Sequence, residues 1–173
     1  MSAASAAVTP SVARRFASMI YEGVLLFAVA FLAANLFRFA SAAAPLNGWL
    51  VYAQQGLLCL VFAAYFLWCW LRGGQTLAMK AWRIRLVAPG RAGIPPRIAL
   101  LRFILALITV GGMVFAVLAV IAGRDDTYSF FSLALSSIGL GWALFDPEGQ
   151  FLHDRLAGTR LVLVDPTHRL GVG

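Results

Sequence analysis

A single glutamate, Glu22, lies in a long apolar segment that follows two arginines, Arg14 and Arg15. A carboxylate in such a segment is costly unless a cation or hydrogen bonds compensate it. Arg15, Ser18 and Glu22 are spaced so that they share one face of a helix. The sequence leaves two interpretations of Glu22 open. It carries a proton or a cation in a transport pathway, or it is a structural pin that, with Arg102 and the Asp154 motif, holds the two halves of the chain together.

The leading predicted partner of Glu22 is Arg102, which begins another apolar segment. Both apolar segments are expected to cross a membrane. Glu22 and Arg102 should then lie at the same side of it, each about one helical turn inside. Arg15 precedes Glu22 by seven residues, or about 10 Å along a helix, which is too far for direct contact. We therefore predict a Glu22–Arg102 pair.

The remaining reactive residue types show no catalytic or metal-binding pattern. Cys59 and Cys69 are ten residues apart and point to different faces of a helix. His153 and His168 lack the spacing of metal ligands. The sequence therefore predicts no metal, no cofactor and no enzymatic activity.

The residues discussed above lie in or beside segments that are predicted to span a membrane. Hydrophobic residues make up 61% of the chain and charged residues only 12%, which is too apolar for a soluble domain. Runs at 17–39, 49–71, 98–122 and 128–145 are long enough to cross a bilayer as helices. Backbone groups in lipid must be satisfied internally. The predicted fold class is an all-α transmembrane bundle with four membrane-spanning helices.

The basic residues predict the orientation of the chain. Of the 14 lysines and arginines, all except Arg38 and Arg124 fall on one side of the four predicted spans. The positive-inside tendency then places both termini in the cytoplasm. The net charge of +7 is explained by this topology, with the lipid bilayer as partner and no nucleic acid.

Two stretches outside the spans resemble each other. "GGQTLAMKAWRIRLV" follows the second span, "EGQFLHDRLAGTRLVLV" follows the fourth, and a shift of 75 residues aligns them. The identical pairs are Gly74 with Gly149, Gln75 with Gln150, Leu77 with Leu152, Arg85 with Arg160, Leu86 with Leu161 and Val87 with Val162. Chance similarity in a biased sequence is the alternative. The match predicts two parallel helix-pair repeats, with short paired strands at 83–87 and 159–164.

These residues resemble the RDD family of bacterial integral membrane proteins. The family is named for an arginine before the first span, an aspartate within it and a second aspartate near the C-terminus. Arg15 matches the first position and Asp154, in "LHDRLAGTRLV", matches the third. Glu22 occupies the second position, where it keeps the charge but is one methylene longer than the expected aspartate.

The resemblance covers about residues 12–165 and leaves 1–11 as a disordered N-terminal tail and 166–173 as a C-terminal tail. It implies that Arg15, Glu22 and Asp154 form an ion pathway or a structural pin. The supporting polar network is expected to comprise Arg14, Arg102, His153, Arg155 and Thr159.

Three classes of function are compatible with the sequence. The first is a small transporter or channel component for ions or small solutes, and the second is a structural, assembly or regulatory factor without transport activity. An enzyme acting at the membrane surface is the third, and no constellation of residues favours it. A homo-oligomer or a complex with another membrane protein is the expected assembly, because four short spans enclose little volume.

Overall fold

The computed structural model of the protein describes residues 8–42, 45, 48–123 and 127–164. Its long helices are α1 (Val12–Ala40), α2 (Trp49–Gly73), α4 (Pro96–Ile121) and α5 (Thr127–Leu144). Its short elements are α3 (Leu77–Ala81), β1 (Ile84–Val87), α6 (Leu152–Leu156) and β2 (Arg160–Leu163). All four long helices are long and apolar enough to cross a membrane, which confirms the predicted transmembrane bundle.

The helix α4 contains a short π-helical segment near its centre. Residues Leu107–Gly111 form a turn of π-helix, and the Thr109 hydroxyl donates to the Leu105 carbonyl at 3.0 Å. Such turns are rare and occur often at functional sites. Here the turn lies about 20 Å from the start of a 26-residue helix, near the middle of the span.

The two strands form a small antiparallel sheet, as predicted. Ile84 pairs with Leu163, and the register continues so that Leu86 pairs with Leu161. Those two leucines are equivalent under the 75-residue shift. An antiparallel pair in which equivalent residues face each other has a local two-fold axis through that pair. The sheet therefore joins the two helix pairs at a point of internal symmetry.

The backbone outside the strands repeats as well. Gly74 and Gly149 both have a left-handed conformation, with φ of 67° and 61°. Arg83 and Gly158, which precede the strands at equivalent positions, share it with φ of 55° and 65°. A non-glycine residue rarely adopts this conformation, so its presence at Arg83 supports the repeat. The two equivalent pairs favour a true repeat over chance similarity.

The sheet, α3, α6 and the start of α1 lie together at one end of the bundle, here called the sheet end. The Leu163 N–H donates to the Val8 carbonyl at 2.8 Å, which places the start of the described chain there too. The main apolar cluster also lies there and comprises Trp70, Met79, Ile84, Leu86, Ile94, Ala99, Phe103 and Leu161. Most of the predicted N-terminal tail and the whole C-terminal tail lie outside the described residues.

Candidate functional site

Glu22 is held by neutral hydrogen-bond donors. The Tyr65 hydroxyl of α2 donates to Oε1 at 2.6 Å, and the Thr76 hydroxyl donates to Oε2. Thr76 is also the N-cap of α3, where its side chain accepts from the Met79 N–H at 3.2 Å. Glu22 is 8% exposed. It therefore fastens α1 to α2 and α3 within the first helix pair.

Arg102 pairs with a different carboxylate. Its Nε lies 2.7 Å from Asp154 Oδ1, and both side chains are almost fully buried. Its guanidinium also lies 4.3 Å from the centroid of the Trp70 ring, a cation–π contact with the first helix pair. The predicted Glu22–Arg102 pair is therefore wrong. Glu22 is bound within the first helix pair, whereas Arg102 pairs with a carboxylate of the second.

Arg15 links the two helix pairs. Its guanidinium donates through Nε to the Pro10 carbonyl at 3.0 Å and through Nη1 to the Gly149 carbonyl. It also lies 5.6 Å from the centroid of the Phe151 ring and is 2% exposed. The helix α1 is thereby anchored to the loop that precedes α6. Arg15 and Glu22 have no common partner among these contacts.

His153 extends the Arg102–Asp154 pair into the bundle. Its Nδ1 lies 3.2 Å from the Thr109 hydroxyl in the π-turn, and its Nε2 lies 3.7 Å from Asp154 Oδ2. Burial lowers the pKa of His153 to about 4, against the raising effect of Asp154 and with a smaller lowering effect of Arg102. The ring is therefore neutral near pH 7.

Within the described residues, four buried side-chain atoms have no hydrogen-bond partner: Gln54 Oε1, Trp70 Nε1, Ser136 Oγ and Asp154 Oδ2. Asp154 pairs with Arg102 through its other oxygen, Trp70 contacts Arg102, and Gln54 lies in α2. Ser136 Oγ lies 2.8 Å from the position of a Cβ on Gly112 of α4. Ser136 lies near the middle of α5, one helical turn from Gly139. A Cβ at Gly139 would lie 2.5 Å from Thr109 Cγ2, so α4 and α5 approach each other closely at this level. Unpaired buried polar atoms are uncommon and point to a water or an ion.

The other predicted residues have supporting positions. Arg14 is exposed, and its backbone N–H donates to the Ser11 cap of α1 at 3.3 Å. Arg155 is exposed and pairs with Glu148 at 3.3 Å. Thr159 donates from its N–H and its hydroxyl to the Asp154 carbonyl, at 2.9 and 3.2 Å.

Four side chains that complete the site were not predicted from the sequence: Tyr65, Trp70, Thr76 and Thr109. Thr76 had the strongest available signal, since it stands in the repeated stretch and before a short helix. The other three resemble ordinary residues of apolar spans. Their roles depend on how the helices pack, which the sequence alone did not specify.

A model of the RDD family matches residues 9–158, which is most of the chain. The matched range includes α1 through α6 and all three positions that give the family its name. The comparisons with curated proteins and with solved structures gave no match.

Proposed function

The chain belongs to the RDD family, and from this premise we propose that it is a small membrane transporter or channel component that conducts protons or small cations. The second helix pair would carry the path. The row of polar groups would run from Asp154 at the sheet end through His153 and Thr109 to Ser136 within the span. This proposal assigns the protein no enzymatic reaction.

The observation that carries the proposal is the unpaired Asp154 Oδ2 beside His153. The Thr109 hydroxyl has one proton, and its contact with the Leu105 carbonyl uses it. Thr109 then accepts from His153 Nδ1–H, which leaves Nε2 without a proton. Two acceptors, Nε2 and Asp154 Oδ2, would face each other at 3.7 Å. A proton, a water or a cation between them would satisfy both.

Beyond His153, buried polar side chains follow the second helix pair into the membrane. Ser129, Ser136 and Thr109 are all buried there, along the contact between α4 and α5. The π-turn supports a functional role for this level of the span, since such turns occur often at functional sites. In the first helix pair, Glu22 has two donors and lies outside the row, so we assign it the role of structural pin.

The proposed location is the bacterial inner membrane, with the sheet end in the cytoplasm. Exposed basic residues are concentrated at that end: Arg14, Arg72, Lys80, Arg83, Arg85, Arg91 and Arg97. This distribution supports a cytoplasmic sheet end through the positive-inside tendency. Both termini would then be cytoplasmic.

The test is ion flux into liposomes that contain the purified protein and a pH-sensitive dye. A potassium gradient with valinomycin sets the membrane potential and drives proton entry. Wild-type protein should acidify the lumen faster than protein-free liposomes. Asp154→Asn should reduce the rate to the protein-free level, whereas Glu22→Gln should retain most of it. Size-exclusion profiles must show that both variants remain folded.

Flux that depends on Glu22 and not on Asp154 would contradict the assignment of the path. The absence of flux for protons, sodium and potassium in folded wild-type protein would reject the transport proposal. It would favour the second candidate, a membrane-embedded assembly factor. One observation supports that candidate: α1 has no buried residue beyond Glu22, and Trp70 is the only buried residue of α2. Those helices leave a large surface for a second copy or another membrane protein.

A further inference from the structure

In the second helix pair, the carboxylate of Glu148 contacts two arginines. Glu148 Oε1 accepts a hydrogen bond from Arg160, and Glu148 Oε2 lies 3.3 Å from Arg155 Nη1. Asp146 adds a carboxylate oxygen 3.5 Å from Arg155 Nε. Glu148 stands directly before the left-handed Gly149. The repeated stretch in this half of the protein is therefore charge-compensated from within the chain.

The first helix pair retains the two cations without the carboxylates. Under the 75-residue shift, Lys80 and Arg85 take the positions of the two arginines, Gly73 that of Glu148, and Leu71 that of the second carboxylate. Both cationic side chains are exposed, and within the described residues neither forms an ion pair. A Cβ at Gly73 would have no atom within 4 Å, so the space is open.

The position lies at the boundary of the membrane. Gly73 is the last residue of α2, and Trp68, five residues earlier, is 59% exposed. The Arg72 guanidinium lies 3.7 Å from the centroid of the Trp68 ring. Exposed aromatic residues at the end of a span mark the level of the lipid headgroups. The anions available at this level are phosphates of lipids.

We infer that the open position flanked by Lys80, Arg85 and Gly73 binds the phosphate of an anionic lipid headgroup. The phosphate oxygens would replace the two carboxylate oxygens that Glu148 supplies in the other half. Charge-assisted hydrogen bonds from an ammonium and a guanidinium suit such an anion. Arg85 is already directed toward this end of α2, since its Cγ lies 3.3 Å from the position of a Cβ on Gly74. The inference does not depend on transport activity.

The test is lipid binding to detergent-purified protein, measured by native mass spectrometry. Phosphatidylglycerol and phosphatidylcholine are titrated separately, and phosphatidylglycerol should bind about 25-fold more tightly, since each of the two basic residues contributes about a factor of five. Gly73→Glu places a carboxylate where Glu148 stands in the repeat. It should reduce the affinity for phosphatidylglycerol to that for phosphatidylcholine. Lys80→Gln combined with Arg85→Gln should do the same.

The matched control is Gly93→Glu, which adds the same charge at another exposed glycine with open space around it. It should leave the affinity for phosphatidylglycerol nearly unchanged. If Gly73→Glu and Gly93→Glu lose equal affinity for phosphatidylglycerol, net charge alone causes the loss and the proposed site is wrong. Displacement of the lipid by millimolar inorganic phosphate would show that the site takes free phosphate and overturn the assignment to lipid. Melting curves of each variant without added lipid separate lost binding from lost folding.

Discussion

The buried carboxylates Glu22 and Asp154 belong to two separate networks, one in each helix pair. Removing one partner of a buried ion pair costs about 3–5 kcal/mol, because the other charge remains uncompensated. Arg102→Ala and Asp154→Ala should therefore each destabilise the protein strongly, and the double variant should lose much less than their sum. Glu22→Ala and Arg102→Ala should add to within about 0.5 kcal/mol, since they share no hydrogen-bond partner. Unfolding in detergent micelles measures both cycles.

Strong coupling between Glu22 and Arg102 in that experiment would contradict the two-network arrangement. Additive losses for Arg102 and Asp154 would show that their contact contributes little to stability.

His153 makes the stability of the protein dependent on pH. Its pKa is lowered to about 4 in the fold and is near 6.5 when the chain is unfolded, so the unfolded state binds the proton more readily. The stability that the neutral ring provides is fully present above about pH 6.5. It is lost as the pH falls toward 4, by at most about 3 kcal/mol. The melting temperature should therefore drop across this window.

The variant His153→Gln isolates this contribution. It should reduce the slope of melting temperature against pH between 6.5 and 4. The other histidine of the chain, His168, lies outside the described residues, and His168→Gln serves as the control that keeps the slope. An unchanged slope in His153→Gln would show that other groups cause the acid sensitivity.

At the scale of elements, the close contact between α4 and α5 depends on a glycine. A Cβ at Gly139 would lie 2.5 Å from Thr109 Cγ2, which forces the helices or the side chain to move. Gly139→Ala should therefore destabilise the protein by about 1–3 kcal/mol. Thr109→Ser removes the obstructing methyl and keeps the hydroxyl, so it should restore part of that loss. Melting temperatures of the single and double variants give the answer.

The control for this prediction is Gly141→Ala in the same helix, where a Cβ meets no atom within 4 Å. It should be neutral or slightly stabilising, since alanine favours a helix more than glycine does. Equal destabilisation by both alanine variants would mean that the α4–α5 contact is not the cause.

The elements were predictable to a large extent, whereas the partners of the buried charges were not. Hydropathy located the four spans to within a few residues at most ends, because lipid requires long apolar helices. The 75-residue match predicted both strands and their pairing. The partners of Glu22 were not predicted because a cationic partner was expected, whereas Tyr65 and Thr76 are neutral hydroxyl donors. Those contacts depend on how the helices pack, and the sequence of an apolar segment predicts little about its packing.

At the scale of the whole molecule, the proposed topology is open to direct measurement. Reporter fusions after residues 45, 90, 125 and 173 should read periplasmic, cytoplasmic, periplasmic and cytoplasmic. The physical reason is that exposed basic residues stay on the cytoplasmic side during insertion. The reporter after residue 90 shows on which side of the membrane the sheet end lies, since that position closely follows β1. A periplasmic signal after residue 173 would reject the four-span arrangement with both termini inside.

The pairing of β1 with β2 has a consequence for the synthesis of the chain. β1 leaves the ribosome before its partner strand, which follows only after α4 and α5 have been made. The sheet closes only if both helix pairs have entered the bilayer with the same sense, because an inverted second pair would leave β2 across the lipid from β1. The hydrogen bonds between β1 and β2 therefore require both helix pairs to have the same orientation. A chain that inserts wrongly keeps an exposed strand edge, the kind of feature that promotes aggregation.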